Sequence, residues 1–295
     1  MTTMPRSTAS SARSWTAATA AAAPSRWAST WRSSRRWLPL CLLAVLATGQ
    51  AQSMPGTVID LASGRPLQEA AFVQRVAAAP HLLLGERHDV AADHAAERWL
   101  LQALHQQRPQ GALVLEMIGS ERQPRLQRVQ RWLDKGNRAD GQHLQELLGW
   151  DPRWPWSAYG GLVQDAAAAG IALHGGNLSR AEVDALLASS APARFPVPGA
   201  RHRLSNVVLA QHADAAPLLE GMLAVQQARD SRMAQVLAAA QTPALLVAGR
   251  WHVLRGTGVP GYLPASAPAL VVALASAEEA IDASDADLLW VIADE

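Results

Sequence analysis

The 295-residue chain contains one cysteine, Cys41, and one lysine, Lys135. A single thiol cannot build an internal disulfide framework. Without a Cys-x-x-Cys pair, neither a thiolate zinc site nor thioether attachment of a cofactor is available. Tyrosine and phenylalanine are scarce, two of each, whereas tryptophan is abundant at eleven. No apolar run approaches the roughly 20 residues that a membrane-spanning helix needs. The body is nonetheless far from polar: 49% hydrophobic and 17% charged residues exclude disorder and fibre. Acidic residues are missing from the first 51 positions, which carry Arg6, Arg13, Arg26, Arg32, Arg35 and Arg36. Setting that segment aside leaves 20 basic against 25 acidic side chains, a net of about −5. A mildly acidic body argues against a nucleic-acid groove, so no nucleic-acid partner is expected.

The front segment reads as an address. An Ala-, Ser- and Arg-rich stretch precedes an apolar run over residues 37–47, and Gly49 and Ala51 flank Gln50 in an Ala-x-Ala-like arrangement. This pattern predicts a signal peptide and Arg-rich leader over 1–51, cleaved after Ala51, and a periplasmic or secreted product. Arg35-Arg36 also resembles a twin-arginine signal. Cys41 follows Pro39-Leu40 and sits inside the apolar run, which disfavours a lipid anchor.

Residues 52–295 are long enough for one sizeable core. Six short apolar runs punctuate them, at 81–85, 112–117, 171–175, 244–249, 269–273 and 288–292. Continuous apolar runs without alternation suit strands buried on both faces. Between them lie helical patterns, such as residues 91–107, where Ala92, Ala95, Ala96, Trp99, Leu100, Ala103 and Leu104 share one stripe. The alternation predicts an α/β fold: a mostly parallel central sheet with helices on both faces. Two long connections, near 119–160 and 179–237, predict helical insertions forming a lobe at the rim where the strands end.

A short pattern recurs directly after two of these strands: Gly85-Glu86-Arg87-His88 and Gly249-Arg250-Trp251-His252. In an open parallel sheet the carboxyl ends of the strands share one rim, and ligands bind in the crevice outside it. His88 and His252 should therefore face one cleft. Glu116, late in its strand, and His174 with Asn177, late in theirs, fall at the same depth. A buried carboxylate is costly alone, so Glu116 predicts a partner: Arg87, a histidine or a metal ion. Asn177 serves equally as a helix cap. Trp150, Trp154 and Trp156 precede Tyr159, and Trp251 lies within the second motif; flat apolar faces beside a phenol suit a large planar ligand, although a loop pinned to the core would use the same residues. Gln226 and Asp230 share a helix face, which by charge pattern alone reads as solvated.

Together these motifs, with Leu115-Glu116-Met117, Trp156-Ser157-Ala158-Tyr159, Gly176-Asn177, Asp230-Ser231-Arg232-Met233-Ala234 and Gly258-Val259-Pro260, resemble the ChaN haem-binding family, within a superfamily that includes the Tiki proteases. The resemblance spans roughly residues 75 to 265. It implies non-covalent haem carriage in iron uptake, a homodimer holding haem near its interface, and an outer-membrane uptake receptor as a further partner. It also implies a tyrosine on iron, Tyr159 by the Trp-x-x-Tyr pattern or Tyr262 after Gly258-Val259-Pro260, beside Trp156. His88, His252, Arg87 or Arg250 would then meet the propionates. A phenolate is a hard anionic donor suited to holding ferric iron. The alternative is a metal-dependent hydrolase of the Tiki type, with Glu86, His88, Glu116 and His252 around a divalent transition metal in the same cleft. No catalytic residue is assigned.

Overall fold

The computed structural model describes residues 53–293 except 190 and 212–215, so the expected leader and Cys41 lie outside the described residues. In chain order the elements are β1 (Thr57–Asp60), β2 (Arg65–Leu67), α1 (Glu69–Ala78), β3 (His81–Glu86), α2 (Ala91–Gln107), β4 (Ala112–Gly119), α3 (Gln123–Leu133), α4 (Gly141–Leu148), α5 (Trp156–Ala168) and β5 (Ala172–Asn177). Then come α6 (Arg180–Leu187), α7 (Ala200–Gln211), α8 (Leu219–Ala239), β6 (Ala244–Gly249), α9 (Arg250–Val253), β7 (Ala269–Ala275) and β8 (Leu288–Val291).

The strands form one sheet in the order β2-β1-β8-β7-β3-β6-β4-β5. The six expected apolar strands are mutually parallel. The hairpin β1–β2 was not anticipated: β1 pairs antiparallel with β8 and closes that edge. Its strands have four and three residues and exposed positions, too short for periodicity to register. Every residue of β3 and β6 is buried. β6 arrives late in the chain yet inserts between β3 and β4, in register with both. The rims of three strands distant in sequence thus become adjacent, which makes this the switch point where such sheets bind ligands.

Two cores flank the sheet. On one face Phe72, Trp99 and Trp290 meet ring to ring, with centroids 5.0 to 6.3 Å apart, under α1, α2 and α5. On the other, Met233 and Leu237 of α8 cover Leu246, Ala248 and Val271. Each such buried side chain contributes about 1.5–3 kcal/mol of transfer free energy. The second insertion carries a small core of its own, with Leu204 and Leu223. α6 is fixed by a capping box, Ser179 with Glu182, and Glu182 also accepts from Arg232 of α8 at 2.7 Å. The lobe α6–α8 therefore stands beside the rim as a tied unit.

Candidate functional site

Glu86 ends β3 and is buried. Its Oε1 accepts from the Tyr159 hydroxyl at 2.8 Å and from His88 Nδ1 at 2.6 Å. On β4, Glu116 accepts from the Gly249 amide through Oε2 at 2.8 Å, and its Oε1 lies 3.3 Å from His252 Nε2. His88 Nε2 is 3.8 Å from Glu116 Oε2. The register between β4 and β5 shifts just past Leu115, and Asn177 Nδ2 donates to the freed Glu116 carbonyl at 2.8 Å. Both motif glycines are demanded by close approach: a Cβ on Gly249 would sit 2.6 Å from His88 Nε2, and one on Gly85 would sit 2.2 Å from Val253 Cγ2.

The convergence expected at the rim is therefore present for Glu86, His88, Glu116 and His252. Histidines fill the partner role that Glu116 required. Behind His252, Asp230 Oδ1 accepts from Nδ1 at 2.5 Å, with the Gln226 amide 2.9 Å from the same nitrogen. Asp230 is fully buried, which corrects the solvated-face reading: the α8 stripe was charged because it serves an imidazole. Burial pulls His252 down, but Glu116 and Asp230 on either side more than offset it and lift its pKa to about 10. Burial likewise pushes Glu116 up, yet His252 and His88 hold it well below the usual carboxylate range. His252 is thus an imidazolium clamped between two carboxylates. In that state His252 would have to lose a proton before it could hold a metal, so the Tiki-type metal set of Glu86, His88, Glu116 and His252 is not favoured.

Other expectations shift. Arg87 does not point at a free anion: Nε and Nη2 bond Asp93 at 3.1 and 2.7 Å. Arg250 is likewise held by Glu279, at 2.6 Å through Nη1. Tyr159 is wholly buried, and burial together with Glu86 drives its pKa above the usual phenol value, so its oxygen lies behind Glu86 instead of on the cleft wall. Burial and Asp230 raise Tyr262 also, and its hydroxyl is enclosed. Trp156 stacks edge-on against Trp150, 5.0 Å between centroids, leaving Trp154 to face His88 at 4.9 Å. His174 lines a separate groove with Gln123 and Arg131 of α3 and is not among the residues of the main cleft. Sequence reasoning missed Arg229, His94 and Glu97, all on helices whose polar positions read as solvent-facing.

The rim residues line a cleft of about 580 Å³. Its rim is polar: Glu86, His88, Glu116 and His252. Its opposite wall is apolar, built by Leu187 of α6, Val207 and Val208 of α7, and Met222 and Val225 of α8, with Trp251 beside them. His88 is the rim imidazole open to solvent, its side chain 40% exposed. Arg229 also lines the cleft, and its Nε is buried without a hydrogen-bond partner.

The chain matches a family model described as "Haem-binding uptake, Tiki superfamily, ChaN" over residues 72–263. Among solved structures it is similar to the ChaN of Campylobacter jejuni described as binding haem cofacially, with a TM-score of 0.72, 24% identity, and coverage of 80% of this chain and 96% of that one. A weaker likeness is to RRSP, a MARTX toxin effector domain from Vibrio vulnificus, with a TM-score of 0.43, 16% identity, and coverage of 72% and 36%. No curated protein matches. No helix among the described residues is long and apolar enough to cross a membrane. The match covers most of the body, and the chain belongs to the haem-binding uptake, Tiki superfamily, ChaN family.

Proposed function

We propose that the chain carries haem non-covalently in the cleft between the rim and the α6–α8 wall, as an exported protein serving iron uptake. The observation that carries this reading is the two-sided character of the cleft: an apolar wall that suits the faces of a macrocycle opposite a polar rim with one exposed imidazole. The residues fit the group. His88 donates through Nδ1 to Glu86, which orients the ring, raises its basicity and leaves Nε2 as the donor to iron. Glu86 in turn is steadied by Tyr159. Arg229, with an unpartnered Nε, is the cation for a propionate; Arg87 and Arg250 are already engaged. Haem supplies the iron; the protein supplies a donor, an apolar face and a counter-charge.

The test is a titration of ferric haem into the purified protein, read by visible absorption. An imidazole-type spectrum is expected, with at least tenfold weaker binding in His88→Ala and little change of spectral type in Tyr159→Phe. A tyrosinate spectrum lost in Tyr159→Phe would return the iron to the phenol, and no uptake at all would remove the haem reading. The cofacial arrangement named for the Campylobacter jejuni protein predicts a haem-dependent homodimer here, seen by light scattering on the same samples.

A further inference from the structure

Beneath the rim, on the side of Glu86 away from His88, lies a second group that haem does not use. The α2 residues His94 and Glu97, one helical turn apart, present their side chains to Glu86. All three are more than nine-tenths buried. Glu86 Oε2, His94 Nδ1 and both oxygens of Glu97 are enclosed without a hydrogen-bond partner. Orphaned polar atoms of this kind are expensive, and four in one place call for an occupant.

The geometry identifies its class. His94 Nδ1 stands 3.4 Å from Glu86 Oε2 and 3.4 Å from Glu97 Oε1, and the donor atoms of all three lie within 4.8 Å of one another. With ligand–metal distances of about 2.0–2.2 Å, neighbouring donors of a tetrahedral ion stand about 3.4 Å apart. The tautomer agrees. His94 Nε2 lies 3.2 Å from the His88 carbonyl, which can only accept, so Nε2 carries a proton and Nδ1 is the nitrogen left to face an ion, whose binding displaces any proton there. A ligating histidine whose other nitrogen donates to a backbone carbonyl is the usual outer-shell arrangement of metal sites.

We infer that Glu86, His94 and Glu97 form a buried site for a divalent first-row transition ion, distinct from the haem cleft and joined to it through the two oxygens of Glu86. One imidazole and two carboxylates suit zinc, manganese, iron or cobalt more than calcium or magnesium. The ion neutralises two carboxylates that share one enclosure, and it fixes Glu86 from behind while His88 and Tyr159 hold its other oxygen.

The experiment strips the purified full-length chain with a chelator, titrates Co²⁺, and reads visible absorption with elemental analysis after gel filtration. One ion per chain is expected in the wild type, with binding weakened at least ~100-fold in Glu97→Gln and in His94→Gln, beyond the 10–100-fold range typical of outer-shell changes. Two results overturn the site. The first is a wild type that retains no Co²⁺ and shows an infrared band of a protonated carboxyl that Glu97→Gln removes, which would make the occupant a shared proton. The second is Co²⁺ uptake that survives both variants and is lost in His88→Ala, which would place the ion at the rim.

Discussion

At the scale of single residues, the clamp around His252 decides how the rim answers to pH. Its folded pKa of about 10 lies above the ordinary 6.5, so its contribution to stability is complete below about pH 6.5 and is lost as pH rises toward 10. Glu116, depressed in the fold, contributes fully above its ordinary value of 4.5 and loses that contribution progressively as pH falls below it. Thermal melts of the wild type should therefore fall between pH 7 and 10, while those of His252→Gln should fall less; parallel slopes would contradict the clamp. Much of this arrangement was legible. Two Gly-x-x-His motifs after apolar strands placed both imidazoles at one rim, and a lone carboxylate in β4 required a partner. What stayed hidden was which neighbour wins, because Arg87 is taken by Asp93, a choice made by the turn into α2 and absent from any local pattern.

At the scale of elements, α2 and the α6–α8 lobe show where periodicity misleads. The boundaries of α2 match the expected 91–107, and Ala96, Trp99, Leu100 and Leu104 are buried as the stripe requires. Ala95, expected inside, is exposed, while Asp93, His94 and Glu97 are buried. A hydrophobic stripe cannot reveal buried charge, since the same letters normally mark a solvated face. Burial lifts Glu97 well above the usual carboxylate range, with Glu86 and Asp93 adding to it. The lobe was expected as a cover over the rim; its contribution is an apolar wall. Val208→Asp and Leu187→Asp should each weaken haem binding about tenfold or more, the equivalent of roughly 1.5–3 kcal/mol of apolar contact. The melting temperature should barely change, because both positions are only partly buried. Calorimetric titration of haem into each variant checks this, and equal affinities would show that the wall is not in contact.

At the scale of the whole molecule, one aromatic cluster of the core involves a strand distant from the rim strands β4 and β5. Trp290 of β8, packed edge-on against Phe72 and Trp99, is fully buried and far in the sheet order from β4 and β5. Trp290→Ala should cost about 3–5 kcal/mol in denaturant unfolding, with haem affinity of the folded fraction retained; a small loss would mean the three-ring cluster is loosely made. The hairpin β1–β2 lay beyond sequence reading for a related reason: edge strands of three or four residues are specified by the strand they cover, here β8.

The late insertion of β6 between β3 and β4 has a kinetic side. Glu86 and Gly249 become neighbours only after more than half the chain has been laid down between them, and pairings so distant along the polypeptide are slow to close. A nascent chain that ends before position 249 lacks Gly249 and His252, so the rim is incomplete until the last central strand has been added.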